Sequence, residues 1–266
     1  MNFRNDATLD YIGLAPAALV FERAIEARLY RIVPMERPIL DVGCGEGLFA
    51  KMAFAEQIDT GIDPNPRELA RARELGAYRE LIECYGDRIP KPDGSYRTVI
   101  SNSVLEHIPQ LEPVFCEVHR ILAPGGYFHF TVPSPNFERF NWTSQILAGS
   151  GLKRLDRAWR AFFNRFWVHY HTYDLAGWSK IAREAGFVIE RGHTYAPRRS
   201  CLLNTTLTPL GLPSMIFKKV TNRWTLVPPL RRILLAPLCV AARRINREGH
   251  AADPGGLVFM SVRKPS

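Results

Sequence analysis

The stretch Ile39-Leu40-Asp41-Val42-Gly43-Cys44-Gly45-Glu46-Gly47-Leu48-Phe49 decides how this chain folds. A short apolar segment runs into three closely spaced glycines, and apolar residues resume after them. Glycine has no Cβ, so it permits a sharp turn and a close approach of the backbone to a ligand. The pattern predicts a strand, a tight turn and the start of a helix, whose free N–H groups point at whatever lies over the turn.

The spacing of the glycines excludes two common nucleotide motifs. The dinucleotide fingerprint requires glycine at position 48, where leucine stands, and the Gly-Lys-Ser/Thr sequence of a P-loop is absent. A second acid, Asp63, follows Asp41 by 22 residues and closes the next apolar run, residues 58–63. An acid at the end of a second strand can hold two ribose hydroxyls. The turn and this acid together predict a ligand that contains a nucleoside.

With this turn and acid, the chain resembles the class I S-adenosylmethionine-dependent methyltransferases, especially the type 11 and ubiquinone-biosynthesis enzymes. The segment 102–109 after the fourth strand and the Leu122-Ala123-Pro124-Gly125-Gly126 helix end extend the resemblance over residues 38–135. The resemblance implies a Rossmann-like α/β fold with seven mostly parallel strands, helices on both faces and an antiparallel last strand. It also implies S-adenosyl-L-methionine as the cofactor.

The resemblance implies a set of residues that contact this cofactor. Asp63 would hold the ribose, Asp87 would take the adenine amino group, and the end of the fourth strand would line the methionine side. A solvated turn aspartate is the alternative for Asp87. The predicted cofactor-binding residues are Asp41, Gly43, Cys44, Gly45, Gly47, Asp63, Pro64, Asp87, Arg88, Ser101 and Asn102.

Length, cysteine usage and hydropathy set limits on the class of protein. The 266 residues fit one large domain, and the five cysteines form no C-x-x-C pair, which favours reduced thiols in a cytoplasmic protein. The N-terminal residues contain no apolar signal core. The longest apolar run near the C-terminus, residues 233–242, is far shorter than the roughly 20 residues that a spanning helix needs.

Two helical insertions are predicted to interrupt this single domain, residues 1–266. Residues 134–173 follow the fifth strand and contain ten of the chain's 29 aromatic residues. They are predicted to form a lid over the acceptor, or a helical layer whose aromatics only form core. Residues 196–250 lie between strands six and seven and contain ten basic residues and one acid, so they account for the net charge of +9.

The basic insertion combines its charge with long apolar side chains. That composition suits an anionic membrane surface, a lipid-linked acceptor and a peripheral position at the inner face of the membrane. A helical cap over the substrate pocket is the alternative. Its apolar content and the lack of a recognised RNA-binding module argue against nucleic acid as a partner.

Methyl transfer from a sulfonium requires positioning and exclusion of water, and an oxygen acceptor also has to lose its proton. The candidate bases are His107, His169 and His171; His107 could instead fix the loop after strand four, and the other two would share one face of a strand. Glu106-His107 is similar to the end of the Glu-x-x-Glu-His metal cluster of the ubiquinone-biosynthesis O-methyltransferases, but Ser103 replaces the first glutamate. Two adjacent ligands make a poor site, and no companions are visible for His169 and His171, so we predict no metal.

These features together predict an S-adenosylmethionine-dependent methyltransferase that acts on a small-molecule or lipid-linked acceptor, with oxygen as the favoured atom. Two alternatives stay open. One is a membrane-peripheral protein that binds the cofactor without catalysis, and the other is an RNA methyltransferase.

Overall fold

The structure, a computed structural model, describes residues 1–4, 8–225, 227–246 and 251–266. Leu226, Arg247, Glu248 and His250 of the basic insertion lie outside the described residues. Among the residues described, no helix combines the length and apolar character needed to cross a lipid bilayer.

Seven strands form one sheet in the order β3-β2-β1-β4-β5-β7-β6. The strands are β1 (Ile39–Val42), β2 (Ile58–Asp63), β3 (Tyr78–Glu83), β4 (Tyr96–Asn102), β5 (Leu122–Pro133), β6 (Val188–Tyr195) and β7 (Leu257–Arg263). Strands β1 to β5 pair in parallel, whereas β7 runs antiparallel to both β5 and β6. The predicted fold class is therefore confirmed. The strand order reverses between β1 and β4, and a ligand crevice forms at such a switch point, beyond the carboxyl ends of the strands.

Helices cover both faces of this sheet. They are α1 (Thr8–Leu14), α2 (Val20–Arg31), α3 (Leu48–Ala53), α4 (Pro66–Leu75), α5 (Leu111–Ile121), α6 (Trp142–Gly149), α7 (Lys153–Phe166), α8 (Leu175–Glu184), α9 (Arg198–Thr221) and α10 (Pro228–Asn246). One core, which includes Phe21 and Tyr30 of α2, fills one face. A second core, which includes Phe115 of α5 and Trp178 of α8, fills the other.

The N-terminal segment differs from its sequence-based interpretation. Its apolar spacing indicates one helix from about Leu9 to Ile32, but the structure contains α1, a short 3-10 turn at Ala17–Leu19 and then α2. Pro16 lies two residues after the end of α1, and proline has no N–H with which to continue a helix. After this break, α1 packs against α2 and α3.

The two insertions are helical, as predicted. Residues 134–173 contain α6 and α7, and residues 196–250 contain α9 and α10. Helix α10 packs on α1, while α9 packs on the 3-10 turn at Ala17–Leu19. The end of α9 reaches the glycine turn, as the contacts of Lys218 described below show. The basic insertion therefore lies over the crevice at the end of β1. The assignment of residues 1–266 to a single domain stays a prediction.

Candidate active site

The glycine turn after β1 adopts the conformation that its sequence requires. Gly43, Gly45 and Gly47 all have positive φ angles of 75°, 51° and 76°. A Cβ at Gly43 would lie 2.3 Å from a methyl group of Val104, and one at Gly47 would lie 2.9 Å from the ring of Tyr78. At Gly45, by contrast, an added Cβ would enter open space. The backbone is thus tightly packed on one side of the turn and open toward the crevice at Gly45.

The carboxylate of Asp63 is fixed beside this turn by two main-chain hydrogen bonds. The N–H of Gly45 donates to its Oδ2 at 3.0 Å, and the N–H of Asn65 donates to its Oδ1 at 2.8 Å. Partial burial raises the pKa of Asp63, and these two bonds oppose that effect. Each carboxylate oxygen has a second lone pair. Asp63 can therefore still accept hydrogen bonds from two neighbouring hydroxyl groups.

Asp41 lies deeper, at the end of β1, and is almost fully buried. Its Oδ2 accepts a hydrogen bond of 2.6 Å from the hydroxyl of Tyr78. Burial raises the pKa of Asp41 to about 7 in spite of this bond. Asp41 lines a cavity of about 140 Å³ together with Gly43, Cys44, Gly47 and Asn102. A cationic group of a ligand in this cavity would stabilise the ionised carboxylate.

A buried ionic network that sequence reasoning missed forms another wall of the cavity. Glu26 of α2 is completely buried and accepts hydrogen bonds from Arg23 at 2.6 Å, Asn102 at 2.9 Å and Tyr195 at 2.9 Å. Arg23 also donates to the hydroxyl of Ser103 at 2.8 Å and lines the cavity. Charged residues are frequent along α2, and nothing in its sequence distinguishes Arg23 and Glu26 as buried.

Comparisons with known proteins agree with this geometry. Residues 40–130 match the model of a methyltransferase domain family. A ubiquinone-biosynthesis O-methyltransferase of Vibrio atlanticus is 31% identical over 113 residues, which cover 39% of this chain and 46% of that protein. A sterol 24-C-methyltransferase of Gibberella zeae is 36% identical over 98 residues, which cover 34% of this chain and 26% of that protein. The aligned segments thus span less than half of either relative.

The fold is shared over a longer stretch. The crystal structure of a SAM-dependent methyltransferase from Thermotoga maritima matches with a TM-score of 0.56 and 15% identity over 93% of this chain and 91% of that one. Residues 40–130 thus match a methyltransferase domain family, and the chain has the fold of S-adenosylmethionine-dependent methyltransferases. This match and this fold imply S-adenosylmethionine as the cofactor, and the residues of the crevice can be tested for their fit to it.

The methyltransferase crevice fits this cofactor in its chemistry. Asp63 offers two acceptors for ribose hydroxyls, Gly45 leaves room where a side chain would intrude, and Asp41 offers a carboxylate to an ammonium group. The cavity volume fits less well, because sites for ligands of this size are typically at least about 300 Å³. The chain itself occupies part of the space, through Trp224 of the basic insertion.

Lys218 and Trp224 fasten the basic insertion onto the methyltransferase core. The Lys218 Nζ lies 2.8 Å from an oxygen of Glu46 and 3.0 Å from an oxygen of Glu68. It also lies 4.7 Å from the centre of the Trp224 ring, and the indole N–H donates to Glu46. Glu46 belongs to the glycine turn, and Glu68 lies in the first turn of α4, which follows Asp63. Lys218 and Trp224, which we call the cover, therefore span both elements that would hold the cofactor, the glycine turn and the start of α4.

The residues that line the cavity of about 140 Å³ do not include Gly45, Asp63, Pro64, Asp87, Arg88 or Ser101. Ser101 is fully buried, and its hydroxyl donates to the carbonyl of Val42 at 3.0 Å, which ties β4 to β1. Pro64, Asp87 and Arg88 are exposed. Pro64 follows β2, and the other two follow β3. Their contacts with a cofactor stay predictions.

The three candidate bases divide into a pair and a separate residue. The rings of His107 and His169 lie 5.2 Å apart between centres, next to Glu106. His171 instead lies 3.0 Å from the carbonyl of Ile108 and 3.1 Å from the hydroxyl of Tyr173. Residues 167–174 form no strand, so the expectation that His169 and His171 share one strand face does not apply.

Burial shifts the pKa values of Glu106, His107 and His169. It lowers the pKa of His107, and it lowers that of His169 to about 4, with a further contribution from His107. Burial also raises the pKa of Glu106 to about 8. A catalytic role for any of the three histidines stays a prediction.

The aromatic side chains of residues 134–173 are more exposed than those of a pocket wall. Helix α7 carries much of its apolar surface toward solvent, with Phe162 47% and Phe166 51% exposed. Trp159 is anchored by a hydrogen bond of 2.8 Å from its Nε1 to Asn141. The aromatic side chains of this insertion are thus not simply an internal core layer, and its role as an acceptor lid stays a prediction.

Proposed function

We propose that this chain transfers the methyl group of S-adenosylmethionine to an oxygen of an apolar, lipid-like small molecule. The observation that carries the proposal is the Asp63 carboxylate, which two backbone N–H groups hold beside the open side of the glycine turn. In the reaction, the S–CH₃ bond of the sulfonium breaks as the O–CH₃ bond forms. The sulfonium becomes a neutral thioether, and the hydroxyl proton passes to a base.

The residues of the domain divide this task. Asp63 would position the ribose, and Asp41 and Asn102 would position the methionine end of the cofactor. Positioning of this kind supplies much of the rate enhancement in a reaction whose reactive group belongs to the cofactor. Glu106, His107 and His169 lie just beyond the end of β4 and are groups that can take a proton from a hydroxyl.

The apolar nature of the acceptor is inferred from relatives and from surface chemistry. The relative from Vibrio atlanticus is named for ubiquinone biosynthesis and O-methylation, and the relative from Gibberella zeae for a sterol. Ile216 and Val220 of α9 and Ile233 and Leu234 of α10 are between 68% and 81% exposed. These helices also carry most of the basic residues of residues 196–250. A surface of this kind favours contact with an anionic membrane that contains the acceptor.

The first experiment tests the cofactor site. Isothermal titration calorimetry with S-adenosylmethionine and with its demethylated product should show binding by the wild-type chain. Asp63→Asn replaces one acceptor oxygen by an amide N–H₂, so we expect affinity to fall about tenfold or more, as for loss of a hydrogen bond to a charged group. Absence of binding by the wild-type chain would refute the proposed function.

The second experiment tests the acceptor. The chain is incubated with methyl-labelled cofactor and a total lipid extract, and the labelled products are tested for methyl ethers or esters. A labelled methyl group on carbon would show that the acceptor atom is carbon and not oxygen. Label found only in the aqueous fraction would contradict a lipid-like acceptor.

Membrane contact has its own test. Flotation with vesicles that contain anionic lipid should decrease for Ile233→Gln with Leu234→Gln, whereas Ile32→Gln, at an apolar site that is also exposed and directly follows α2, should leave it unchanged. Equal flotation of all three chains would remove the membrane surface from the proposal.

A further inference from the structure

Three side chains of types that can bind a metal come from two distant segments and lie close together just beyond the end of β4. One ligand atom from each of Glu106, His107 and His169 lies within 4.8 Å of the others. Glu106 and His107 belong to the 3-10 turn Leu105–His107, whereas His169 follows α7, more than sixty residues later in the chain. The N–H of Tyr170 donates to the carbonyl of Glu106 at 2.8 Å, so the main chain holds the two segments together.

The ligand atoms in this cluster have lone pairs without matching donors. The Nδ1 of His107 lies 3.2 Å from the carbonyl of Val168. A carbonyl only accepts, so Nδ1 carries the proton and Nε2 presents a lone pair. That Nε2 lies 3.9 Å from the nearer carboxylate oxygen of Glu106, which is too far for a hydrogen bond.

The other two side chains have the same deficit. Glu106 is only 3% exposed, and within the described part of the chain its Oε2 finds no hydrogen-bond partner. The buried Nδ1 of His169 likewise has no partner among the described residues. Buried polar atoms are costly unless they are paired. Converging acceptors that lack a donor are the arrangement that a bound cation satisfies.

We propose that Glu106, His107 and His169 form a binding site for a divalent transition-metal ion. Two imidazole nitrogens and one carboxylate oxygen suit Zn²⁺, Fe²⁺ or Mn²⁺ and leave further coordination positions for water or an acceptor oxygen. The carbonyl of Val168 would orient His107 in the way that outer groups orient histidine ligands. The expectation of no metal treated Glu106 with His107, and His169 with His171, as separate pairs, whereas the structure brings Glu106, His107 and His169 together.

The site has a consequence for the acceptor. Asn102, which lines the cofactor cavity, precedes Glu106 by four residues, and Ser103 is hydrogen-bonded to Arg23 of the same cavity. The ion would thus lie on the acceptor side of the methyl group. A metal-bound hydroxyl loses its proton more readily. In that case His107 and His169 act as ligands and not as bases.

Metal binding can be measured without any methyltransferase assay. The purified chain is stripped with a chelator, and Zn²⁺ or Co²⁺ is added in a calorimeter or a visible spectrometer. We expect one ion per chain and, with Co²⁺, an absorption band of a nitrogen-containing site. Glu106→Gln and His169→Gln should each weaken binding at least about tenfold.

His171→Gln is the matched control, since His171 lies two residues from His169 but its ring contacts the carbonyl of Ile108. It should bind the ion as the wild-type chain does. Thermal unfolding of the metal-free variants checks folding, and Glu106→Gln should retain its stability because the new amide can donate to a neighbouring acceptor. The proposal is overturned if the wild-type chain binds no ion, or if the glutamine variants at 106 and 169 bind it as tightly as wild type. Binding of S-adenosylmethionine, measured separately, distinguishes that failure from failure of the proposed function.

Discussion

Lys218 and Trp224 form a cover over the crevice. We predict that the chain binds its cofactor weakly while this cover is closed. A cavity of about 140 Å³ is too small for a ligand that normally occupies a site of about 300 Å³ or more. The cover must therefore move before the cofactor binds fully. Because apparent affinity is reduced by the fraction of open chains, any contact that favours the closed form weakens binding.

The strength of the fastening follows from its contacts. Lys218 makes two partly buried ion pairs, with Glu46 and Glu68, and lies over the ring of Trp224. Partly exposed ion pairs contribute up to about 1 kcal/mol each, and a cation over an aromatic ring contributes about 0.5–1 kcal/mol. With allowance for screening, the total is about 1–2 kcal/mol, which corresponds to a roughly 5- to 30-fold change in affinity.

Lys218→Met keeps the apolar stem and removes the charge, so it should tighten binding of S-adenosylmethionine by up to that factor. Salt should have a similar but smaller effect on the wild-type chain, because it screens the ion pairs. Calorimetry at low and moderate salt measures both effects. Lys219→Met is the control, since Lys219 is adjacent in α9 and exposed. If Lys218→Met weakens binding tenfold while Lys219→Met does not, Lys218 holds the cofactor and the reasoning about a cover is wrong.

Two further predictions concern the turn and the strand that precedes it. The folded-state pKa of Asp41, about 7, lies above the ordinary value of 3.8, so folding favours its protonated form and stability should fall as pH rises from about 4 through 7. Asp41→Asn should reduce the loss of stability between pH 5 and pH 8 in urea unfolding, although Glu22, also raised to about 7, will keep part of it; an unchanged loss would contradict the burial argument. Gly43→Ala should lower the free energy of unfolding by about 2–4 kcal/mol, since its Cβ would overlap Val104. Gly45→Ala, in open space but at positive φ, should cost about 1–2 kcal/mol and mainly weaken cofactor binding; equal stability losses at both positions would show that crowding does not distinguish them.

The fold could be predicted because its signals are local. The glycine turn, Asp63 and the Asn65-Pro66 start of α4 each lie within a few residues, and the structure contains β1 at the predicted residues. Asn65 accepts a hydrogen bond from the N–H of Arg67 at 3.0 Å and so caps the start of α4. Once the strand order is known, such segments have only one place in the sheet.

The cover could not be predicted in this way, because its contacts join distant parts of the chain. Lys218 meets Glu46 across 172 residues, and nothing in a run of basic residues distinguishes the one that turns inward. From the sequence, the whole of residues 196–250 is predicted either to contact a membrane surface or to form a cap over the substrate pocket. In the structure, Lys218 and Trp224 lie against the crevice while side chains such as Ile233 face solvent, and both alternatives stay predictions.

The same reasoning explains why the meeting of Glu106, His107 and His169 could not be predicted from the sequence. Asp41, Gly43 and Asp63 lie on or directly after strands whose order the sheet fixes, whereas His169 reaches Glu106 only because the insertion 134–173 returns over the end of β4. Its position depends on how α6 and α7 fold, which no short motif specifies. Since Asn102 lines the cavity and Glu106 contacts this insertion, the few residues after β4 connect the cavity to the insertion. A different insertion at this point would therefore change the neighbours of Glu106 while leaving the glycine turn and Asp63 as they are.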